Sequence, residues 1–183
     1  MVTAHQTVNA STEYGTRMDL PKVICMEETA YHESGHAFMA AFLGGEVRSL
    51  TIEPDRDDGP ARFGDVQIGW RRHGMSVKEF QNKLVLVALA GPIAETIYRG
   101  EPLHPGFVPE WADDWQRAWE AAELILPDEC LRLAFLEETA RQLHGRLSRD
   151  EHWAAIAALA DELLAHETLD AEQIQEVLAV WMR

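Results

Sequence analysis

The segment from Glu27 to Leu43, EETAYHESGHAFMAAFL, reads as one helix, and its centre carries His32-Glu33-Ser34-Gly35-His36. Two histidines four residues apart share a helical face, so both imidazoles can reach a single Zn²⁺ at about 2.0–2.1 Å. Glu33 lies one position round the helix, placed to act on a water at the metal rather than on the metal itself. Ala30, Ala37, Phe38, Ala40, Ala41 and Phe42 give the helix an apolar body, no proline breaks it, and Gly44-Gly45 supplies a left-handed stop. A buried helix holding two histidines and a glutamate must find partners for all three, because an unpaired polar group in a core is costly. The competing reading makes His32 and His36 ordinary hydrogen-bonded histidines. H-E-x-x-H arises by chance often enough that its surroundings have to decide.

Working outward, 183 residues suit one domain with a full-sized core, and 46% hydrophobic with 26% charged residues is a globular composition. The net charge of −15 argues against nucleic acid or an anionic membrane as partner, since both would be repelled. Cys25 and Cys130 lie far apart without C-x-x-C spacing, so no disulfide framework or cysteine zinc site is indicated. Cys25 precedes His32 by one heptad, and its reading as a small buried hydrophobe is favoured over a ligand role. No apolar run reaches the roughly 18 residues that span a bilayer. The N-terminal MVTAHQTVNASTEYGTR lacks the apolar core of a signal peptide, so the expected location is cytoplasmic.

Residues 1–19 are polar, small and without periodicity, which predicts a flexible tail, with order beginning near Leu20-Pro21 and one domain over 20–183. Val47 to Glu53 and Phe63 to Trp70 alternate as strands, and Pro54 to Pro60 between them is a turn by composition, so the pair predicts a β-hairpin. Ser76-Val77-Lys78-Glu79 is a capping box opening a helix from Phe80 to Tyr98, with Gly100 as its stop and Pro92 expected to kink or split it. Glu101 to Glu110, rich in proline, reads as a loop able to fold back over a site. Helices follow over Asp114–Leu126, Glu129 to about Gly145, Arg149–His166 and Ala171–Met182, with Ser148/Glu151 and Asp170/Gln173 as capping pairs for the last two. The expected fold is mostly α with a small β-hairpin or sheet (α+β), built on the H-E-x-x-H helix and a C-terminal helical bundle.

A catalytic zinc needs three protein ligands and an open position, so H-E-x-x-H is one ligand short. No third histidine follows within Ala41 to Gly45, which leaves Glu95, Asp113 or Asp114. Thr29-Ala30-Tyr31-His32-Glu33-Ser34-Gly35-His36-Ala37 resembles the T-A-Y-H-E-A-G-H-A of the zinc peptidase domain of FtsH-type, ATP-dependent proteases. Ser49 to Pro54 is similar to that family's V-T-I-x-P strand, and Leu89-Ala90-Gly91 with Ala94-Glu95 is similar to its L-A-G-R-x-A-E. Asp114 with Ala118 resembles the start of its N-D-x-x-x-A-T helix, and Leu159-Ala160 through Glu172 resembles its A-L-L-E-x-E-T-L-D-x-x-E.

The resemblance runs in order from about Val23 to the C-terminus. It implies His32, His36 and Asp114 as zinc ligands, Glu33 as general base, and Glu95 as a supporting residue. Without it, Asp114 reads about equally well as a helix N-cap. Three departures stand out: no G-x-x-x-x-G-K-[ST] loop or membrane span accompanies the domain, Phe107 to Ala112 replaces the family's S-T-G-A, and Pro92 replaces an arginine. The expectation is a peptidase domain without its motor.

Two functions follow as expectations. One is a zinc endopeptidase that cleaves unfolded or flexible polypeptide without ATP in isolation, either alone or fed by a separate ATPase. The other is a non-proteolytic zinc-containing interaction protein that uses the family's oligomer-forming surface to bind or modulate a partner protease or ATPase. The intact ligands and base favour the first. The strand from Phe63 to Trp70 is the candidate substrate shelf, with Trp70 and Phe63 read as core more readily than as pocket walls. Trp111, Trp115 and Trp119 form a stripe read as a packed face or subunit contact. His73, His104, His144, His152 and His166 lack ligand spacing.

Overall fold

Alanine, phenylalanine and methionine surround the middle of the H-E-x-x-H segment on every side, and a helix that is apolar all round has to be enclosed. In the computed structural model, which describes residues 26–53, 64–101 and 104–181, α1 (Met26–Phe42) is the central helix, with Ala30 and every residue from Glu33 to Ala40 buried. Gly44 (φ 82°) ends it as expected, its N–H bonding to the Ala41 carbonyl while that of Gly45 bonds to Ala40. The expected tail over 1–19, the start of order at Leu20-Pro21, Cys25, the turn from Pro54 to Pro60 and Phe63 lie outside the described residues.

β1 (Glu46–Thr51) and β2 (Asp65–Gly69) pair antiparallel, Glu46 opposite Gly69 and Thr51 opposite Asp65, as the alternation predicts. A third strand, β3 (Thr168–Asp170), adds to the other edge of β1, with Ser49 opposite Asp170 and Thr51 opposite Thr168. The order is therefore β2-β1-β3, and β2 is an edge strand. The sheet lays Val47, Leu50 and Leu169 onto the core.

α2 (Val77–Arg99) begins in the expected capping box: Ser76 Oγ accepts from the Glu79 N–H, and the Glu79 carboxylate accepts from the Ser76 N–H at 2.8 Å. Gly100 (φ 66°) closes it. Of the two outcomes expected at Pro92, the split does not occur: α2 runs on from Val77 to Arg99. A proline inside a helix costs about 3 kcal/mol in isolation, but every residue from Val87 to Thr96 is buried here, and packing holds the helix through the missing bond.

Two short 3-10 turns, Pro105–Phe107 and Pro109–Trp111, lead into α3 (Ala112–Glu123), followed by α4 (Glu129–Leu147), α5 (Asp150–His166) and α6 (Ala171–Ala179). α2 packs between α1 on one side and α3 and α4 on the other, α5 covers α1, and α6 closes on β1 and α5. The molecule is mostly α with a small antiparallel sheet, as expected. Asp170 forms its capping box with Gln173. Ser148 does not form one with Glu151: it caps the C-terminus of α4, its N–H bonding to the His144 carbonyl, so the backbone that would open α5 is already committed. Arg132, 2% exposed, bonds the Leu126 and Pro127 carbonyls at 3.0 and 2.8 Å and fixes the α3–α4 turn.

Candidate metal centre

α1 and α2 approach closely because glycines face the contact. A Cβ on Gly35 would stand 2.6 Å from the Ala90 oxygen and from the Ala94 Cβ, and one on Gly91 would stand 2.3 Å from His36 Nε2. That closeness sets the His36 ring against α2, where Nδ1 lies 2.7 Å from the Val87 carbonyl oxygen. A carbonyl can only accept, so Nδ1 carries a proton, which leaves Nε2 as the nitrogen available to an ion.

His32 is aimed in the same way from one turn earlier. Its Nδ1 lies 3.0 Å from Glu95 Oε2, an oxygen that also accepts the Trp111 indole N–H at 2.6 Å, while Arg99 donates to the other carboxylate oxygen at 3.1 Å. Burial works to raise the Glu95 carboxyl, but hydrogen bonds from His32, Trp111 and Arg99 hold it below its ordinary value, so it is an ionised acceptor. Both Nε2 atoms therefore point inward, 3.1 Å apart.

Asp114 comes from α3 to the same point. Its Oδ2 is 2.9 Å from His32 Nε2 and its Oδ1 is 3.5 Å from His36 Nε2, with the residue 7% exposed. The N-cap of α3 is Trp111, so the helix-cap reading of Asp114 does not hold. Asp113 is exposed and stands outside the cluster, and Glu95 sits behind His32 rather than within it. Four ligands at about 2.0–2.1 Å in a tetrahedron lie about 3.3 Å from one another; the two inward nitrogens are 3.1 Å apart, and the Asp114 carboxylate comes within 2.9 Å of one through Oδ2 and 3.5 Å of the other through Oδ1. Two imidazole nitrogens and a carboxylate oxygen at these distances suit a divalent cation, and a buried His32-His36-Asp114 group is able to hold one. Without an ion, a proton takes its place. Burial works to lower the His32 imidazole, but hydrogen bonds to Asp114 and Glu95 outweigh it and push it up to about 10. Burial likewise works to raise Asp114, and the two histidines hold it well below the ordinary carboxylate range.

Glu33 lines the same cleft, of about 600 Å³, as the three inward residues. It is 9% exposed and, among the described residues, makes no hydrogen bond or ion pair. Burial pushes its carboxyl up, and the nearby histidines offset this only partly. Gly64, just before β2, lies over it so closely that a Cβ there would come within 2.5 Å of Glu33 Oε1. Val66 and Ile68 of β2 also line the cleft. Trp70 does not; it packs edge-on against Phe80 and the core.

Sequence reasoning missed the second role of Trp111. The stripe does pack, with Trp111 buried and Trp115 and Trp119 partly so, but Trp111 also holds the carboxylate that orients His32. No periodicity signals an indole N–H sixteen residues past its acceptor on the preceding helix. His104 accepts from the Gly106 N–H at 3.1 Å and does not reach the cluster. Among the described residues, no helix is long and apolar enough to cross a membrane. No protein-family model matches the chain, and no curated protein matches its sequence.

Proposed function

We propose that this chain is a zinc-dependent endopeptidase of the FtsH type, acting in the cytoplasm on unfolded or flexible polypeptide segments. The observation that carries the reading is the combination of three inward-pointing residues able to hold an ion with a buried carboxylate, Glu33, unpaired among the described residues, in one open cleft. A purely structural zinc site closes its coordination and has no use for a base beside it. A bound Zn²⁺ supplies Lewis acidity, bringing the pKa of a water toward about 7 and polarising a peptide carbonyl.

The chain's own residues do the rest. Glu33 takes the proton from the attacking water and passes it to the departing amine, and a carboxyl raised by burial suits the second of those transfers as well as the first. β2 is the edge of the sheet beside the cleft, so an extended segment can add to it through backbone hydrogen bonds. These 183 residues carry no G-x-x-x-x-G-K-[ST] loop, so by themselves they spare tightly folded proteins, which need an ATPase to deliver them.

Glu33→Gln is the test. Zinc content and fold should be retained while cleavage of an unfolded protein such as casein falls about 10²–10⁴-fold. If the wild type, zinc-loaded, is as inert as Glu33→Gln on unfolded protein, the interaction-protein reading replaces this one.

A further inference from the structure

We propose that the cleft selects polypeptide segments in which an apolar side chain is flanked by lysine or arginine. The proposal rests on the endopeptidase reading and adds its class of substrate.

The cleft has two kinds of surface. Its inner length is apolar, with Leu84, Val87 and Ala88 on α2, Ala121 on α3 and Leu124 at the C-cap of α3. Ala121 lies seven residues after Asp114 on the same helix, about 10 Å along its axis, or about three residues of extended chain from the metal cluster. Leu124, 65% exposed, stands at the lip. A leucine-sized side chain near the bond to be cut has an apolar lane to enter.

The rim is acidic beyond what composition requires. Asp and Glu are 31 of the 183 residues of the chain but eight of the twenty-two that line the cleft. Asp114 belongs to the metal cluster, Glu95 backs His32 and Glu33 stands beside the cluster. Of the other five, Glu28 pairs with Arg99 at 3.8 Å, Glu110 lies on the second 3-10 turn, and Asp65 on the β2 bank with Asp113 and Glu120 on the α3 bank are exposed. Among the described lining residues Arg117 is the one arginine or lysine, and it leans to 3.8 Å from Asp114. An entering chain therefore passes carboxylates on both sides. Each exposed pair contributes little, but several act together with the long-range field of a chain of net charge −15.

The test uses the zinc-loaded full chain and fluorogenic peptides that share one leucine and differ only in flanking lysine, glutamine or glutamate. The expected kcat/KM order is basic, neutral, acidic, spanning on the order of tenfold at low salt and narrowing at high salt. Replacing the leucine with serine should lower kcat/KM at least about tenfold. The double variant Asp113→Lys with Glu120→Lys should level or reverse the basic-to-acidic ratio, a quantity that does not depend on how much of the variant folds. Equal kcat/KM for the three peptides would overturn the proposal and leave the endopeptidase reading standing. Anisotropy of the labelled peptides on zinc-loaded Glu33→Gln separates the remaining case: selective binding of the basic peptide with no cleavage of any peptide by the wild type would overturn the endopeptidase reading and this substrate assignment with it.

Discussion

His32 and His36 are aimed from behind, and that is where single substitutions should tell most. His36 bonds a backbone carbonyl, while His32 depends on Glu95, which depends in turn on Trp111 and Arg99. Removing His36 or Asp114 takes away a ligand, so His36→Ala and Asp114→Ala should lose the metal. Trp111→Phe keeps the bulk but leaves a buried carboxylate oxygen short of a donor. The supporting partners of a metal ligand are worth about 10–100-fold in affinity, so zinc binding by Trp111→Phe, measured by competition with a chromophoric chelator, should weaken by that factor. Unchanged affinity would reduce Trp111 to packing, and zinc retained in Asp114→Ala but lost in Glu95→Ala would exchange the roles of those two acids.

At the scale of the helix pair, three glycines make a graded experiment. Gly145 in α4 has open space around the position of a Cβ, so Gly145→Ala should stabilise by about 0.5–1 kcal/mol through helix propensity alone. Gly35 meets the α2 backbone and Ala94, so Gly35→Ala has to push α1 and α2 apart, an overpacking that costs about 1–3 kcal/mol. Gly91 meets the His36 ring. Gly91→Ala should therefore gain propensity and lose zinc, since the ring must leave either the Val87 carbonyl or the ligand position. Thermal melts with and without chelator separate the three, and wild-type zinc affinity in Gly91→Ala would contradict the packing argument.

At the scale of the molecule, an ion at the cluster joins α1 to α3 across 82 residues of sequence. An ion that binds only the folded chain stabilises it, so chelation should lower Tm. The pH dependence has a definite sign. In the metal-free chain the His32 pKa is raised from 6.5 to about 10, so the stability it contributes is full below about pH 6.5 and is lost as pH rises toward 10. A zinc ion bound there would take the place of that proton. The Tm of chelated protein should fall between pH 7 and 9 while that of zinc-loaded protein does not, and parallel curves would show that His32 is not the group the metal displaces.

Much of this was legible from local chemistry. H-E-x-x-H at helical spacing, the Ser76 and Asp170 capping boxes, the stops at Gly44 and Gly100 and the alternation of β1 and β2 all act within a few residues, so the sequence by itself determined the helices, the hairpin strands and two of the three inward ligands. Asp114 was separable from Asp113 and Glu95 only through the family resemblance, and its geometry came from the approach of α3. Tertiary structure alone decided the rest. β3 is three residues long, too short to show alternation, and exists because β1 offers a free edge more than a hundred residues earlier. Pro92 stays within α2 because burial outweighs its local cost, and Ser148 ends one helix instead of starting the next because its N–H is bonded to the His144 carbonyl. Trp111, Glu95 and the Gly35–Gly91 seam become a support for two histidines only when helices distant in sequence meet, since hydrogen-bond aim and close approach are properties of pairs of elements and no single segment encodes them.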